Sequence, residues 1–340
     1  MRSLPLGLIL SVISLSLFGC GDTQGANGED AEAVVGVVLD SGGLGDQSFN
    51  DSAWAGAQRA EDELGVSVVN VSSNSESDYV SNLSGFADRG FDLVVAVGIN
   101  QKTALDRVAT DYPDTNFALI DNTVEHDNVR SILFSEEEGS FLVGYLAGLM
   151  TETDAIGFVG GQEIALIKKF EYGYYAGAKM ANPNVEILPA KYVGSWDDVG
   201  QAKEAANQLF RSGADIVYHA AGRAGLGVIS AAKENDKYAI GVDSDQDHVE
   251  EGYVLTSMVK RVDEAVFQTI QDVVNNEFSG GTVIYDLEAD GVGLSELRFT
   301  REAIGEERLE QVQQVRERIA SGEIEPPKTE EEYEAFLARQ

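Results

Sequence analysis

From residue 34 onward, short apolar runs of strand length alternate with longer segments whose apolar positions recur every three or four residues. The runs are VVGVVL (34–39), VSVVNV (66–71), DLVVAVG (92–98), NFALID (116–121), AIGFVGG (155–161), VEILPAKYV (185–193), DIVYHAAG (215–222), YAIGVDS (238–244), VLTSMV (254–259) and TVIYDL (282–287). They are continuous rather than alternating, the pattern of parallel strands covered on both faces. Between them the periodicity predicts helices over 50–64, 77–88, 102–111, 136–150, 164–181, 197–211, 226–235, 262–277 and 300–320. Such alternation builds right-handed crossover units and doubly wound α/β sheets. Ten strands are too many for one compact sheet of this kind, so two Rossmann-like lobes of about equal size are expected.

The expected division gives 33–134 plus 254–279 to an N-terminal lobe and 135–250 plus 281–325 to a C-terminal lobe. The chain then crosses a hinge three times, near 135, 250 and 280. Residues 326–340 hold Pro326 and Pro327, two of only six prolines, and are expected to pack loosely along the surface.

The first residues read differently. MRSLPLGLILSVISLSLFGC has one Arg, an apolar stretch from Leu4 to Phe18, then Gly19-Cys20. That stretch is too short for a membrane-spanning anchor and is built like a secretion signal over 1–19. Leu17-Phe18-Gly19-Cys20 resembles the bacterial lipoprotein cleavage box, with Phe18 bulkier than the usual occupant. Cleavage there leaves Cys20 as a lipidated N-terminus, followed by a small, polar tether over 20–32. A plain signal peptide with an incidental Cys is the alternative.

Composition narrows the possibilities. With 43% hydrophobic and 24% charged residues, the 340-residue chain is an ordinary globular protein. Its 24 Lys+Arg face 58 Asp+Glu, a net charge of −34. Such a surface repels nucleic acid and anionic headgroups and suits a protein kept soluble in high salt. A single Cys excludes an internal disulfide and a Cys-based zinc site. His126, His219 and His248 have no metal-ligand spacing and read as structural or surface residues, so neither metal nor cofactor is expected.

In doubly wound sheets ligands collect at the carboxyl ends of strands. The first run ends in Asp40, followed by Ser41-Gly42-Gly43-Leu44-Gly45-Asp46-Gln47-Ser48-Phe49-Asn50. Gly43-x-Gly45-x-x-Ser48 nearly matches a dinucleotide fingerprint. Against it, the third Gly is Ser, Asp40 and Asp46 would repel a pyrophosphate, and no acid ends the second strand. Ser48-x-x-Asp51 looks like a helix cap, which puts Phe49 at the helix's lip, pointing toward the cleft or into the lobe core, with its place between a Gly-rich turn and a polar cap favouring the cleft. Neither a nucleophile elbow nor a Walker loop is present, so no enzyme is expected.

The stretch DSGGLGDQSFNDSAWAG resembles the signature of the basic membrane protein family, the purine-nucleoside-receptor-like lipoproteins. The resemblance continues through SDYVSNLSGFADRGFDLVVAVG, FALIDNT, SEEEGSFLVGYLAG, IGFVGGQEIALIKKFEYGYYAGAK, GSWDDVGQAKEAANQLFRSGADIVYHAAG and IGVDSDQ. It implies an extracytoplasmic binding protein of an ABC transporter with a type I periplasmic-binding-protein fold, working with a permease and ATPase, and a nucleoside as ligand. Residue by residue it implies that Asp40 is the first-motif acid and Phe49 stacks on the base, with Asn50 beside it. Asp121 faces the base, and Trp196 stands where the family usually has Phe. Gly222 approaches the sugar, Asp243 holds ribose hydroxyls, and Lys260 lies on the sugar side.

The physical logic agrees. Aromatics can clamp both faces of a base, and carboxylates accept bonds from ring N–H groups or vicinal hydroxyls. A sugar or small signal molecule on the same scaffold, serving a sensor rather than a transporter, is the other reading the residues leave open.

Overall fold

The computed structural model describes residues 32–73 and 75–340; the signal-peptide segment, Cys20 and nearly all of the tether lie outside them. The chain lays down β1 (Val34–Leu39), α1 (Phe49–Leu64), β2 (Ser67–Ser72), α2 (Glu76–Ala87), β3 (Leu93–Val97), α3 (Lys102–Asp111), β4 (Asn116–Ile120) and β5 (Val129–Phe134). It crosses over at Ser135. A second set follows: α4 (Glu136–Met150), β6 (Ala155–Gly160), α5 (Ala165–Ala181), β7 (Glu186–Ile187), β8 (Lys191–Tyr192), α6 (Val199–Arg211), β9 (Ile216–Ala220), α7 (Gly225–Glu234), β10 (Tyr238–Asp243) and β11 (Val254–Lys260). The remaining elements are α8 (Val262–Val274), β12 (Gly281–Tyr285), β13 (Val292–Leu294), α9 (Arg301–Ile304), α10 (Glu306–Ala320) and α11 (Glu330–Leu337).

Two sheets result. One has the order β12-β5-β4-β3-β1-β2, all parallel; the other runs β13-β11-β10-β9-β6-β7, with β8 also on β6 and only β13 antiparallel. Valine-rich strands explain the arrangement. In β1, Val37 and Leu39 enter the apolar layer shared with α1, while Val38 enters the layer formed with α2 and α3. The fold is the two-lobed α/β architecture of type I periplasmic binding proteins.

The lobes divide differently from the expectation. β11, placed by sequence in the first lobe, pairs with β10 in the second sheet, and β12, placed in the second, pairs with β5 in the first. The later crossings therefore fall after Lys260 and after Tyr285, not near 250 and 280. No helix separates β10 from β11. Segment 244–253, at about 3.3–3.6 Å per residue, is nonetheless long enough to retrace β10 and allow a parallel return. α8 packs against α1, in the first lobe.

Other departures have local causes. The run 185–193 is broken by Pro189 into two-residue β7 and β8, because proline offers no N–H to a ladder. β5 goes unnoticed in the sequence because Arg130 and Ser131 interrupt its apolar run. Both are buried, Arg130 bonding Asp272 at 2.6 Å and Ser131 bonding Val124. The tail is not loose. Its helix α11 buries Phe336 edge-on against Phe141 at 5.7 Å and stacks Tyr333 on Tyr172 at 5.8 Å.

Candidate ligand-binding site

β1 and β3 are neighbours although β2 lies between them in sequence, so the chain reverses its winding there and leaves a crevice at their carboxyl ends. Asp40 stands in it. Its carboxylate accepts the Tyr79 hydroxyl, the Ser41 N–H at 2.7 Å and the Asn100 amide at 3.4 Å. Burial pushes this carboxyl above its ordinary range while those bonds pull against the rise. Gly98, just after β3 at φ 117°, makes the room: a Cβ there would stand 2.4 Å from Asp40 Oδ2.

The start of α1 corrects the expected cap. Asp46, not Ser48, closes the helix, its carboxylate accepting the N–H groups of Ser48, Asn50 and Asp51 at 2.8–3.1 Å and the Asn50 amide at 3.0 Å. Asp51 reaches back to the N–H groups of Gly45 and Gln47, each at 2.8 Å. Asn50 Oδ1 accepts the Asp40 N–H at 3.1 Å, tying the helix to the strand end. Phe49 therefore opens α1 half-buried at the lip, and the Ser48 hydroxyl is free to reach the other lobe. It donates to Asp243 Oδ2 at 2.5 Å.

The second lobe contributes its own reversal point, between β6 and β9. Trp196 lies over Gly161, where a Cβ would meet the indole at 2.3 Å. Gly222, at φ 55°, sits beside the Trp196 carbonyl. Asp121 directly follows β4 and Asp243 ends β10, both in left-handed backbone at φ 71° and 63°. That conformation is costly for side-chain-bearing residues and typical of functional sites.

Lys260, buried at the end of β11, joins the lobes. Its Nζ donates to Asp121 at 2.6 and 2.7 Å and lies 3.1 Å from Glu136. The rings of Phe134, Phe49 and Phe170 lie 4.9, 5.2 and 5.8 Å away. Burial alone would lower its pKa; Asp121, Glu136 and Asp243 outweigh that and hold the ammonium above its ordinary value. Asp243 goes the other way. Burial raises its carboxyl to about 7 despite the opposing charge of Lys260 and the Ser48 hydrogen bond.

All eight sequence-selected residues, Asp40, Phe49, Asn50, Asp121, Trp196, Gly222, Asp243 and Lys260, line one cavity between the lobes. Its atom-free space, counting the open mouth, is about 640 Å³. Sequence reading missed Ile99, Leu166, Ile167, Phe170 and Arg223, which also line it. Leu166, Ile167 and Phe170 carry ordinary helix periodicity in the first turns of α5. Only their place after a strand end signals the cleft. Of the histidines, His126 meets Asp106 at 2.9 Å, His248 meets Gln47 at 3.0 Å, and His219 is fully buried. No cluster of metal-binding side chains occurs among the described residues.

Residues 33–330 match the model of a family described as ABC transporter substrate-binding protein, PnrA-like. The chain belongs to this family. The ABC transporter nucleoside-binding protein BmpA of Lactococcus lactis is 34% identical over 84% of this chain and 90% of that protein. An uncharacterized lipoprotein of Pyrococcus furiosus is 37% identical over 87% and 79%. An ABC transporter solute-binding protein from Aeropyrum pernix K1 superposes with a TM-score of 0.81 at 32% identity, covering 90% of this chain and 97% of its own. As a PnrA-like substrate-binding protein the chain serves a small-molecule ligand and the permease and ATPase of a transporter, not catalysis. Among the described residues no helix is long and apolar enough to cross a membrane.

Proposed function

We propose that the cleft captures a nucleoside, its base between Phe49 and Trp196 and its ribose hydroxyls on Asp243, and presents it to the permease with the lobes closed. The observation that carries this reading is the meeting of an aromatic from each lobe with strand-end carboxylates in one cavity. A base has two π-faces for such a pair, each stack worth about 1–3 kcal/mol. Asp243 can take vicinal hydroxyls that a free base lacks, and Asp121, fixed by Lys260, can accept from ring N–H or amino groups. Asp40, Asp46, Asp121 and Asp243 outnumber the cations Lys260 and Arg223 in the lining, which favours a neutral ligand over a phosphorylated one. A purine fills the wide platform of Trp196 better than a pyrimidine.

Titration calorimetry with guanosine, adenosine, uridine and ribose tests the reading. Phe49→Ala and Trp196→Ala should each lose about 5- to 150-fold in affinity for the purine nucleosides, the equivalent of one stack. Full affinity in both variants, or ribose binding as tightly as guanosine, sinks the proposal.

We propose further that the protein works outside the cytoplasmic membrane, held by acyl chains on Cys20. Incorporation of labelled palmitate into the wild type but not Cys20→Ser is the expected result, and equal labelling of both rules it out.

A further inference from the structure

The tail that sequence reading left without a role is joined to the cleft by a file of alternating charges. Lys328, which begins the C-terminal segment's last stretch, stands 3.1 Å from Glu137. Glu137 is 3.9 Å from Lys169, and Lys169 is 3.0 Å from Glu136. Glu136 is 3.1 Å from Lys260, which grips Asp121 in the ligand cavity. Glu136 and Glu137 open α4 immediately after the first crossing between lobes, and both are buried. Only Lys328, at the outer end, is exposed, with 54% of its side chain accessible.

Lys328 is not a drifting surface lysine. Its N–H donates to Glu332 at 2.7 Å, Thr329 caps α11, and Tyr333 and Phe336 pin that helix to Tyr172 and Phe141. We propose that the C-terminal segment, through Lys328, sets how firmly Lys260 holds Asp121 in the cleft, so that Lys328, Glu137, Lys169 and Glu136 are positioning residues for ligand binding.

The reasoning is one of shared counter-charge. Glu137 Oε2 makes no hydrogen bond among the described residues, so this buried carboxylate depends on Lys328 at one oxygen and the more distant Lys169 at the other. A buried carboxylate stripped of a cation draws on the next one. Without Lys328, Lys169 is pulled from Glu136 toward Glu137. Glu136 then relies on Lys260 alone, and Lys260 divides itself less favourably between Glu136 and Asp121. Low local dielectric lets the change pass along the file instead of being screened away.

The effect on affinity rests on the nucleoside reading, whereas the effect on Lys260 does not. Two measurements on the full protein keep them apart. In ¹⁵N-lysine-labelled, ligand-free protein, the Lys260 ammonium signal, assigned by its loss in Lys260→Arg, should move in Lys328→Met and return in Lys328→Arg. In calorimetry with guanosine, Lys328→Met should lose about threefold to tenfold in affinity with Lys328→Arg restoring it. An exposed position makes misfolding of Lys328→Met an unattractive explanation, and rescue by arginine removes it. A Lys260 signal that stays put in Lys328→Met overturns the proposal, as does guanosine affinity unchanged from a wild type that binds it. Should the wild type bind no guanosine, the nucleoside reading falls and the Lys260 signal alone decides.

Discussion

Asp243 combines a strand-end position, left-handed backbone and burial beside a lysine it does not itself grip. Its carboxyl is raised from the ordinary 3.8 to about 7, chiefly by burial. A folded-state value above the unfolded one means that the folded form holds the proton longer. The associated stability is full below about pH 4 and is lost as pH rises through about 7. The unfolding free energy of the wild type relative to Asp243→Asn should therefore fall by about 4 kcal/mol between those limits, as denaturant titrations at several pH values can read. Nucleoside binding should run the opposite way, because ribose hydroxyls donate to the ionised form. Affinity should rise from pH 6 to pH 8 in the wild type and stay low and flat in the variant. Asp40, Asp121 and Asp243 were visible in the sequence because each terminates an apolar run. The bonds that hold them were not: Tyr79 lies 39 positions from Asp40 and Lys260 lies 139 from Asp121.

At the level of elements, local rules served well where the signal was local. Apolar runs gave β1, β3, β4, β9 and β10 within a residue or two, and the bounds of α3 and α4 coincide with the expected ones. They failed where tertiary partners override composition. The Ser48 cap lost to Asp46, which lies two residues earlier and satisfies three backbone N–H groups at once. β5 tolerates Arg130 because Asp272 neutralises it and the Ser279 carbonyl accepts its Nε–H. The C-terminal segment was expected to pack loosely because it holds two of the six prolines, yet one face of its helix carries Tyr333 and Phe336. Phe336→Ala should cost about 3 kcal/mol, seen as a lower unfolding midpoint, with amide exchange quickening first in Glu330–Leu337. Unaltered stability in that variant would mean the helix is not docked in solution.

For the whole molecule, the lobes meet across the cleft through the buried Lys260–Asp121 ion pair and a handful of hydrogen bonds. Besides Ser48 with Asp243, Ser244 bonds the Ser48 carbonyl at 3.2 Å, Gln246 bonds the Gln47 carbonyl at 3.0 Å, and Arg223 reaches the Gly42 carbonyl at 3.5 Å. Hydrogen bonds of this kind are each worth roughly 1 kcal/mol net, and on the nucleoside reading a ligand gripping both lobes adds its own contacts to them and shifts the population toward the closed arrangement. Small-angle scattering should show the radius of gyration falling on addition of guanosine, and an identical radius with and without it would argue against closure. Two doubly wound lobes and the residues at their strand ends are legible in the chain alone, because continuous apolar runs, glycine turns and terminal acids are all local patterns. Contacts made only in three dimensions settle which lobe β11 and β12 join, what fixes each carboxylate, and that Lys328, just ahead of the last helix, meets the ion pairs behind the cleft. Those outcomes depend on contacts between residues far apart in the chain, and no local pattern encodes which distant partner a strand edge or a buried charge will find.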